Sequence, residues 1–334
     1  MKNYHGVIEL TESLSQSTNI SLALKQAALT LNRRAQEALA RQSLYVQHAI
    51  DASLGYDSNV NAGTSEDNIF LPLLNQDIIL SDNSKETSDG YLGLGYNLLA
   101  TKALTQSSKL TFSAASRLHF FTSNSEYNRF YLTTNVQYNK DFAGFSSSIG
   151  VRAVPLWLND SYYRTQYGAT LGLRKALDKQ WLVSSEIFVG QTKNDINKLL
   201  STDDISLQIA TQYLTQSWRH TLSLRFATED SEFLESQHNN RETLVMSYLA
   251  DFAINSHWLA SANISFQQQD YQNNHPFFFE KRADDMWLIG GSIQYQDQGK
   301  WSYRLGVTMQ DKDSNLTLFS YQRVDIQLSA RMSF

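Results

Sequence analysis

Trp258-Leu259-Ala260-Ser261-Ala262-Asn263-Ile264-Ser265-Phe266 decides the fold of this chain. Trp258, Ala260, Ala262, Ile264 and Phe266 fall on one side of a period of two, with Ser261, Asn263 and Ser265 on the other. Such alternation marks a strand with one apolar and one polar face. The stretch follows the tight polar turn Asn255-Ser256-His257, and the same arrangement returns at Trp181, Trp218 and Trp301, and at Phe145 one hairpin earlier. A spacing of about forty residues is what two strands, one short turn and one longer loop consume. An aromatic fixed at the same end of every second strand is the pattern of an interfacial girdle, because amphipathic rings settle at headgroup level. These residues predict a transmembrane β-barrel.

Composition narrows the alternatives. The 334 residues include no Cys, three Pro and a formal net charge of −5. Without Cys there is no disulfide framework and no thiolate metal site. A mean hydropathy of −0.39 would ordinarily read as a water-soluble domain, but a barrel shows lipid only every second strand residue. No apolar run approaches the roughly 18 residues of a membrane helix. A pI of about 5.8 and the lack of a basic stripe with interleaved aromatics argue against nucleic acid as a partner. Met1-Lys2-Asn3-Tyr4-His5 opens into polar sequence with no apolar h-region, so an exported chain with this start reads as a truncated or mature fragment.

Residues 1–43 differ from the rest. Leu24, Ala28, Leu31, Ala35 and Leu39 repeat at helical spacing within a stretch of helix formers over 21–41, which Asn19 or Ser21 is placed to cap; it reads either as the final helix of a helical domain or as an amphipathic helix packed against the barrel mouth. From Leu44 the period switches to two, and fourteen alternating stretches follow, the first carrying Val46 to Tyr56 and the last Val324 to Phe334. The expected fold is thus all-β: a 14-stranded antiparallel transmembrane barrel over 44–334, after a short helical segment over 1–43. Short turns such as Asp141-Phe142-Ala143-Gly144 and Asp297-Gln298-Gly299-Lys300 alternate with mostly longer, more polar connections near 57–90, 121–128, 158–162, 192–203, 228–241, 267–284 and 310–320. Short periplasmic turns and longer outer loops are the usual asymmetry of outer-membrane barrels, and an even strand number leaves both barrel ends, with the helical segment, on the periplasmic side. A propeller or sandwich would show more turn punctuation than fifteen Gly and three Pro supply. The chain closes on Gln327-Leu328-Ser329-Ala330-Arg331-Met332-Ser333-Phe334, where Met332 and Phe334 fit a carboxy-terminal assembly signal, with Ser329 at a position often held by Gly.

The polar face becomes the lumen. Arg117, Arg152, Arg164, Arg174, Arg219, Arg225, Arg304 and Arg331 fall on it, against fewer acids, Asp51, Glu186 and Asp325. Two readings stay open: a basic interior that favours anions or acidic polymers, or an internal network in which arginines pair with acids and strand carbonyls. Phe277-Phe278-Phe279 after Pro276 is expected to plug the lumen or to meet an outer partner. Seven scattered His show no metal-ligand spacing, and neither a GxSxG elbow nor a Gly-rich phosphate loop occurs. His238 lies near Asp230 and Glu232, and Asp284-Asp285 ends another loop, but loop acids are usually solvated. No enzyme activity, cofactor or metal is expected.

Leu54-Gly55-Tyr56-Asp57-Ser58-Asn59-Val60-Asn61 sits where the first strand meets the first outer loop. Read alone, Asp57-Ser58-Asn59 is turn chemistry. Following a helical tail and heading a fourteen-strand barrel, the run resembles the start of the carboxy-terminal barrel of surface lipoprotein assembly modulators. The resemblance spans architecture over nearly the whole chain and motif over these eight residues. It implies that residues 21–41 are the tail of a periplasmic tetratricopeptide domain, and that the barrel helps a protein client such as a lipoprotein reach the cell surface through an openable seam between residues 46–56 and 324–334. It carries no catalytic residues. The alternative is a polysaccharide exporter or porin-like channel with a polar, arginine-rich lumen. Expected partners are outer-membrane lipid, the barrel assembly machinery, and a lipoprotein or polymer client.

Overall fold

The computed structural model describes residues 4–16, 24, 27–32, 34, 35, 44–297 and 299–334. Fourteen antiparallel strands close into one barrel. In chain order they begin with β1 (Leu44–Asp57), and a small hairpin, β2 (Asn68–Leu71) and β3 (Gln76–Ile79), stands between it and β4 (Asp89–Ala103). There follow β5 (Ser108–Phe121), β6 (Arg129–Phe142), β7 (Phe145–Leu158), β8 (Ser161–Ala176), β9 (Trp181–Asn194) and β10 (Thr202–Leu214). The circuit ends with β11 (Trp218–Ser231), β12 (Arg241–Ala253), β13 (Trp258–Asn274), β14 (Lys281–Gln296), β15 (Trp301–Ser314) and β16 (Tyr321–Ser333). β1 pairs with both β4 and β16, so the barrel has no open edge.

The outward face is apolar and bare. Ile149, Leu305 and Leu328 are all more than half exposed, a distribution that water would penalise and hydrocarbon does not. The five girdle aromatics are each the first residue of a strand. Phe145 stacks on Phe142 at 4.8 Å and Trp218 on Phe252 at 4.5 Å, while Trp181 packs tilted on Tyr213 at 4.7 Å and Trp258 on Tyr295 at 5.1 Å. In each case the partner lies directly across the neighbouring strand; Trp301 faces Met332 instead. A second band, not foreseen, marks the other end: Phe130, Trp157 and Tyr162 form one cluster, and Phe266 packs on Trp287 at 4.8 Å. Trp258 and Phe266 lie on the same strand, about 27 Å apart along it, enough for a tilted strand to cross the hydrocarbon.

The strands outrun the alternation that located them. β13 continues to Asn274 and β15 to Ser314, through residues read from sequence as loops. Beyond the outer aromatic band the outward side chains meet water, so apolar alternation stops while backbone pairing continues. The connection at 158–162 also shortens. Asn159 and Asp160, both at positive φ, make a two-residue turn that Asn and Asp tolerate.

At the amino end, α1 (Tyr4–Gln16) falls within the helical segment expected over 1–43, ahead of the 21–41 stretch whose spacing suggested it. Among 21–41 the described residues are helical, and Asn32 Nδ2 donates to Thr11 Oγ1 at 2.9 Å and to Ile8 O at 3.3 Å. Ala28 and Ala35 are buried, while Leu24 and Leu31 are about half exposed. Leu39 and both candidate caps, Asn19 and Ser21, lie outside the described residues.

Glycines let large side chains lie flat on the lumen wall. Phe188 points inward yet is 1% exposed, because it covers the backbone of β8 and β9 at Gly168 and Gly190. A Cβ on Gly190 would stand 2.6 Å from Phe188 Cζ and against the Tyr167 carbonyl. Gly190→Ala is therefore expected to destabilise the folded barrel by about 1–3 kcal/mol, measured by urea unfolding in bilayers; an unchanged midpoint would refute this fit.

Candidate functional site: an arginine-lined lumen

Three of the eight arginines read from sequence are held by carboxylates. Arg117 bonds Asp51 at 3.1 Å, from β5 to β1 across β4. Gly95 makes this possible, since a Cβ there would stand 2.5 Å from the Asp51 carboxylate. Arg152 bonds Glu186 at 3.2 Å and its guanidinium sits 4.5 Å from the Phe188 ring centroid. Arg219 bonds Asp251, which also accepts from Ser261 Oγ.

The other five have no carboxylate within 4.0 Å among the described residues. Arg164 and Arg225 line a cavity of about 630 Å³. Arg304 lines a second, of about 300 Å³, together with Arg117. Arg174 lines a third, of about 340 Å³, near the short-turn end. Arg331 lies opposite Asp51 in the seam register but makes no ion pair with it.

The first two cavities share Arg129, Tyr131 and Arg323. Arg129 and Arg323 did not emerge from sequence, nor did Arg241, Arg282 or Lys312; of their acids, Asp57 and Asp284 read only as turn and loop residues. Arg323 and Arg129 both bond Asp57, Arg241 bonds Glu229, and Arg282 and Lys312 hold Asp284 at 2.6 and 2.9 Å. The lumen thus holds more acid than Asp51, Glu186 and Asp325, and both open readings apply to different residues: a paired network and a set of free cations. Most missed groups sit where the strands outrun the apolar alternation. The signal available there was parity, since Glu229, Arg241, Arg282 and Asp284 keep to the inward face of their strands.

Around the 630 Å³ cavity the balance is basic. Arg129, Arg164, Arg225, Arg241 and Arg323 line it against Glu229, with Asp57 behind two of them. A low-dielectric wall around such a cluster focuses positive potential into the lumen.

The eight-residue run is more than a turn. Gly55 has no Cβ because the Tyr91 ring lies on it. Asp57 is fully buried and accepts from Arg323 Nε at 2.9 Å and from the Asn59 backbone N–H at 3.0 Å. Ser58 Oγ accepts the Val324 N–H at 2.8 Å, and Asn59 Nδ2 donates to the Gln322 carbonyl at 2.9 Å. Val60 is buried with Tyr91 and Phe121, while Asn61 donates to the Lys85 carbonyl at 2.6 Å. The run joins β1 to β16 and pins the first loop to the wall.

The outer aromatics pack among the connections at this end of the barrel. Phe277 and Phe279 are about half exposed, and Phe278 packs at the rim on His275 and Phe319. The Leu73 N–H of the first loop donates to the Phe277 carbonyl at 3.2 Å. Burial and the nearby His238 and Arg282 push the His275 pKa below the ordinary imidazole range. Glu232 is taken by Lys193 and His238 packs edge-on against His275, so the loop acids and histidines do not converge. Among the described residues no cluster of three His, Asp or Glu side chains is placed to hold a metal.

A closed antiparallel sheet of even strand number, greasy outside and charged within, defines a transmembrane β-barrel of the outer-membrane type. Neither a protein-family model nor a curated protein matches the chain. Among solved structures it is similar to the outer membrane channel DcaP of Acinetobacter baumannii, with a TM-score of 0.51 and 9% identity over 87% of this chain and 97% of that one. It is also similar to the anion-selective porin from Comamonas acidovorans (TM-score 0.49, 9% identity, 87% of this chain and 99% of that one). For the CymD monoaromatic hydrocarbon channel the TM-score is 0.46 at 11% identity, over 89% and 91%. At such identities the likeness to DcaP shows shared architecture and nothing of the solute.

Proposed function

We propose that this protein is an outer-membrane channel whose lumen favours anionic solutes. The observation that carries the reading is the pair of adjoining cavities lined by Arg164, Arg225 and Arg304, none of which is neutralised by a carboxylate among the described residues. Lipid surrounds the apolar belt, and the short-turn end, with the helical segment, faces the periplasm. The fold shared with DcaP, described as an outer membrane channel, agrees with this role.

Replacing Arg164, Arg225 and Arg304 together by Gln is expected to lower the chloride-over-potassium permeability ratio roughly three- to tenfold in planar bilayers. An unchanged ratio would remove these residues from selectivity.

Delivery of a lipoprotein or other protein client, the role implied by the family resemblance, needs β1 and β16 to part. The seam is shorter than its neighbour, nine paired residues against fourteen between β1 and β4. It is nonetheless latched by Asp57 at one end and by Phe334 at the other, which opposes opening. Ala52 and Ala330 lie opposite each other across the seam, so Cys at both positions permits an oxidative lock. A channel keeps its conductance when locked; a lateral gate loses delivery of its client. In the second reading the helical segment would be where a periplasmic partner docks.

A further inference from the structure

The inner face of β7 changes character half-way along. Near the short-turn end it presents Ser146, Ser148, Gly150 and Arg152; further out it presents Val154, Leu156 and Leu158, all lining the 630 Å³ cavity. Three apolar side chains in succession break the polar rule of a water-filled lumen. They are flanked by cations. Leu158 lies directly opposite Arg129 on β6, and Leu156 directly opposite Arg164 on β8. Arg225, on β11, lines the same cavity.

The cations divide by availability. Arg129 and Arg323 are committed to Asp57, and Arg241 to Glu229. Arg164 and Arg225 have no such partner among the described residues. The cavity therefore offers two free guanidinium groups beside a hydrocarbon wall, within the volume range of small-molecule sites. We infer that it binds amphipathic organic anions, with a carboxylate or sulfonate head at Arg164 and Arg225 and a compact hydrocarbon body against Val154, Leu156 and Leu158. This names a solute class for the channel proposed above and rests on that reading for its physiological sense. A small hydrophilic anion uses only the cations, and a neutral hydrocarbon only the wall.

The test is calorimetric titration of the barrel in lipid nanodiscs, with empty nanodiscs as blank. Naphthalene-2-sulfonate is expected to bind at least about tenfold more tightly than methanesulfonate. Leu156→Ser combined with Leu158→Ser should shrink that advantage to roughly twofold, while Arg164→Gln with Arg225→Gln should weaken both sulfonates. Equal affinity of the two sulfonates for the native barrel overturns the inference, as does an advantage that survives the leucine substitutions. If the leucine variant fails to fold, the native comparison decides alone. Failure of the channel reading shows separately, as absence of anion-selective conductance from a barrel that still binds the naphthalene probe.

Discussion

Asp57→Ala lowers the stability of the closed barrel by about 3–5 kcal/mol, the range for removing one partner of a buried ion cluster. The carboxylate is completely buried, bonded to Arg323 and 3.6 Å from Arg129. Without it two guanidinium groups remain close together, each less than one-fifth exposed, and the turn loses the acceptor for the Asn59 N–H. The loss falls on the seam, because Asp57 belongs to β1 and Arg323 to β16. Urea unfolding of the reconstituted barrel measures it. Asp57→Asn separates charge from volume: it retains an acceptor for Asn59 but takes from both arginines the carboxylate they are paired with, so most of the loss should persist. Adding Arg323→Met to Asp57→Ala should recover part of it, since one stranded cation goes. A change below about 1 kcal/mol for Asp57→Ala would mean that the cluster is solvated and the latch is not there.

Replacing Met332 and Phe334 together by Ser is the second large effect. Phe334 exchanges both backbone hydrogen bonds with His48, at 3.0 and 2.9 Å, so it extends the seam by one residue beyond β16. Its ring meets the His48 ring edge-on at 5.2 Å, and Met332 lies between Ile50 and Trp301 on the lipid face. Withdrawing two such side chains from hydrocarbon costs about 1.5–3 kcal/mol each, which predicts a fall of tenfold or more in assembled barrel. Refolding into bilayers without other proteins divides the causes. A loss in cells alone points to recognition by assembly machinery, a loss in both to closure of the seam, and normal amounts in both would refute the proposed role of this end.

How far the sequence reached depends on what surrounds each residue. Inside the hydrocarbon, lipid dictates one face, so Trp181, Trp218 and Trp258 with their alternating successors located every strand of the barrel. Where lipid ends, that dictation ends: Glu229, Arg241, Arg282 and Asp284 passed for loop residues although they stand on strands. The first outer loop concealed the β2–β3 hairpin for the same reason. Asp57 read as a turn residue because its partners are remote, with Arg323 266 positions away along the chain. Phe277 to Phe279 read as a plug or as a contact for an outer partner; that Phe278 packs on His275 and Phe319, and that the first loop bonds the Phe277 carbonyl, was not legible.

By itself the sequence determined the number of strands, the face each turns to lipid, the aromatic ring at the short-turn end and the even count that brings both barrel ends together. A period of two in a solvent that tolerates only apolar surface leaves little freedom in any of these. Only the tertiary structure decided which arginines are neutralised and which are free, that Asp57 latches the seam, and that Val154, Leu156 and Leu158 share a cavity with Arg164 and Arg225. Those facts depend on strand register and on closure of the sheet, which bring together side chains from distant strands; no local pattern along the chain encodes which charge meets which.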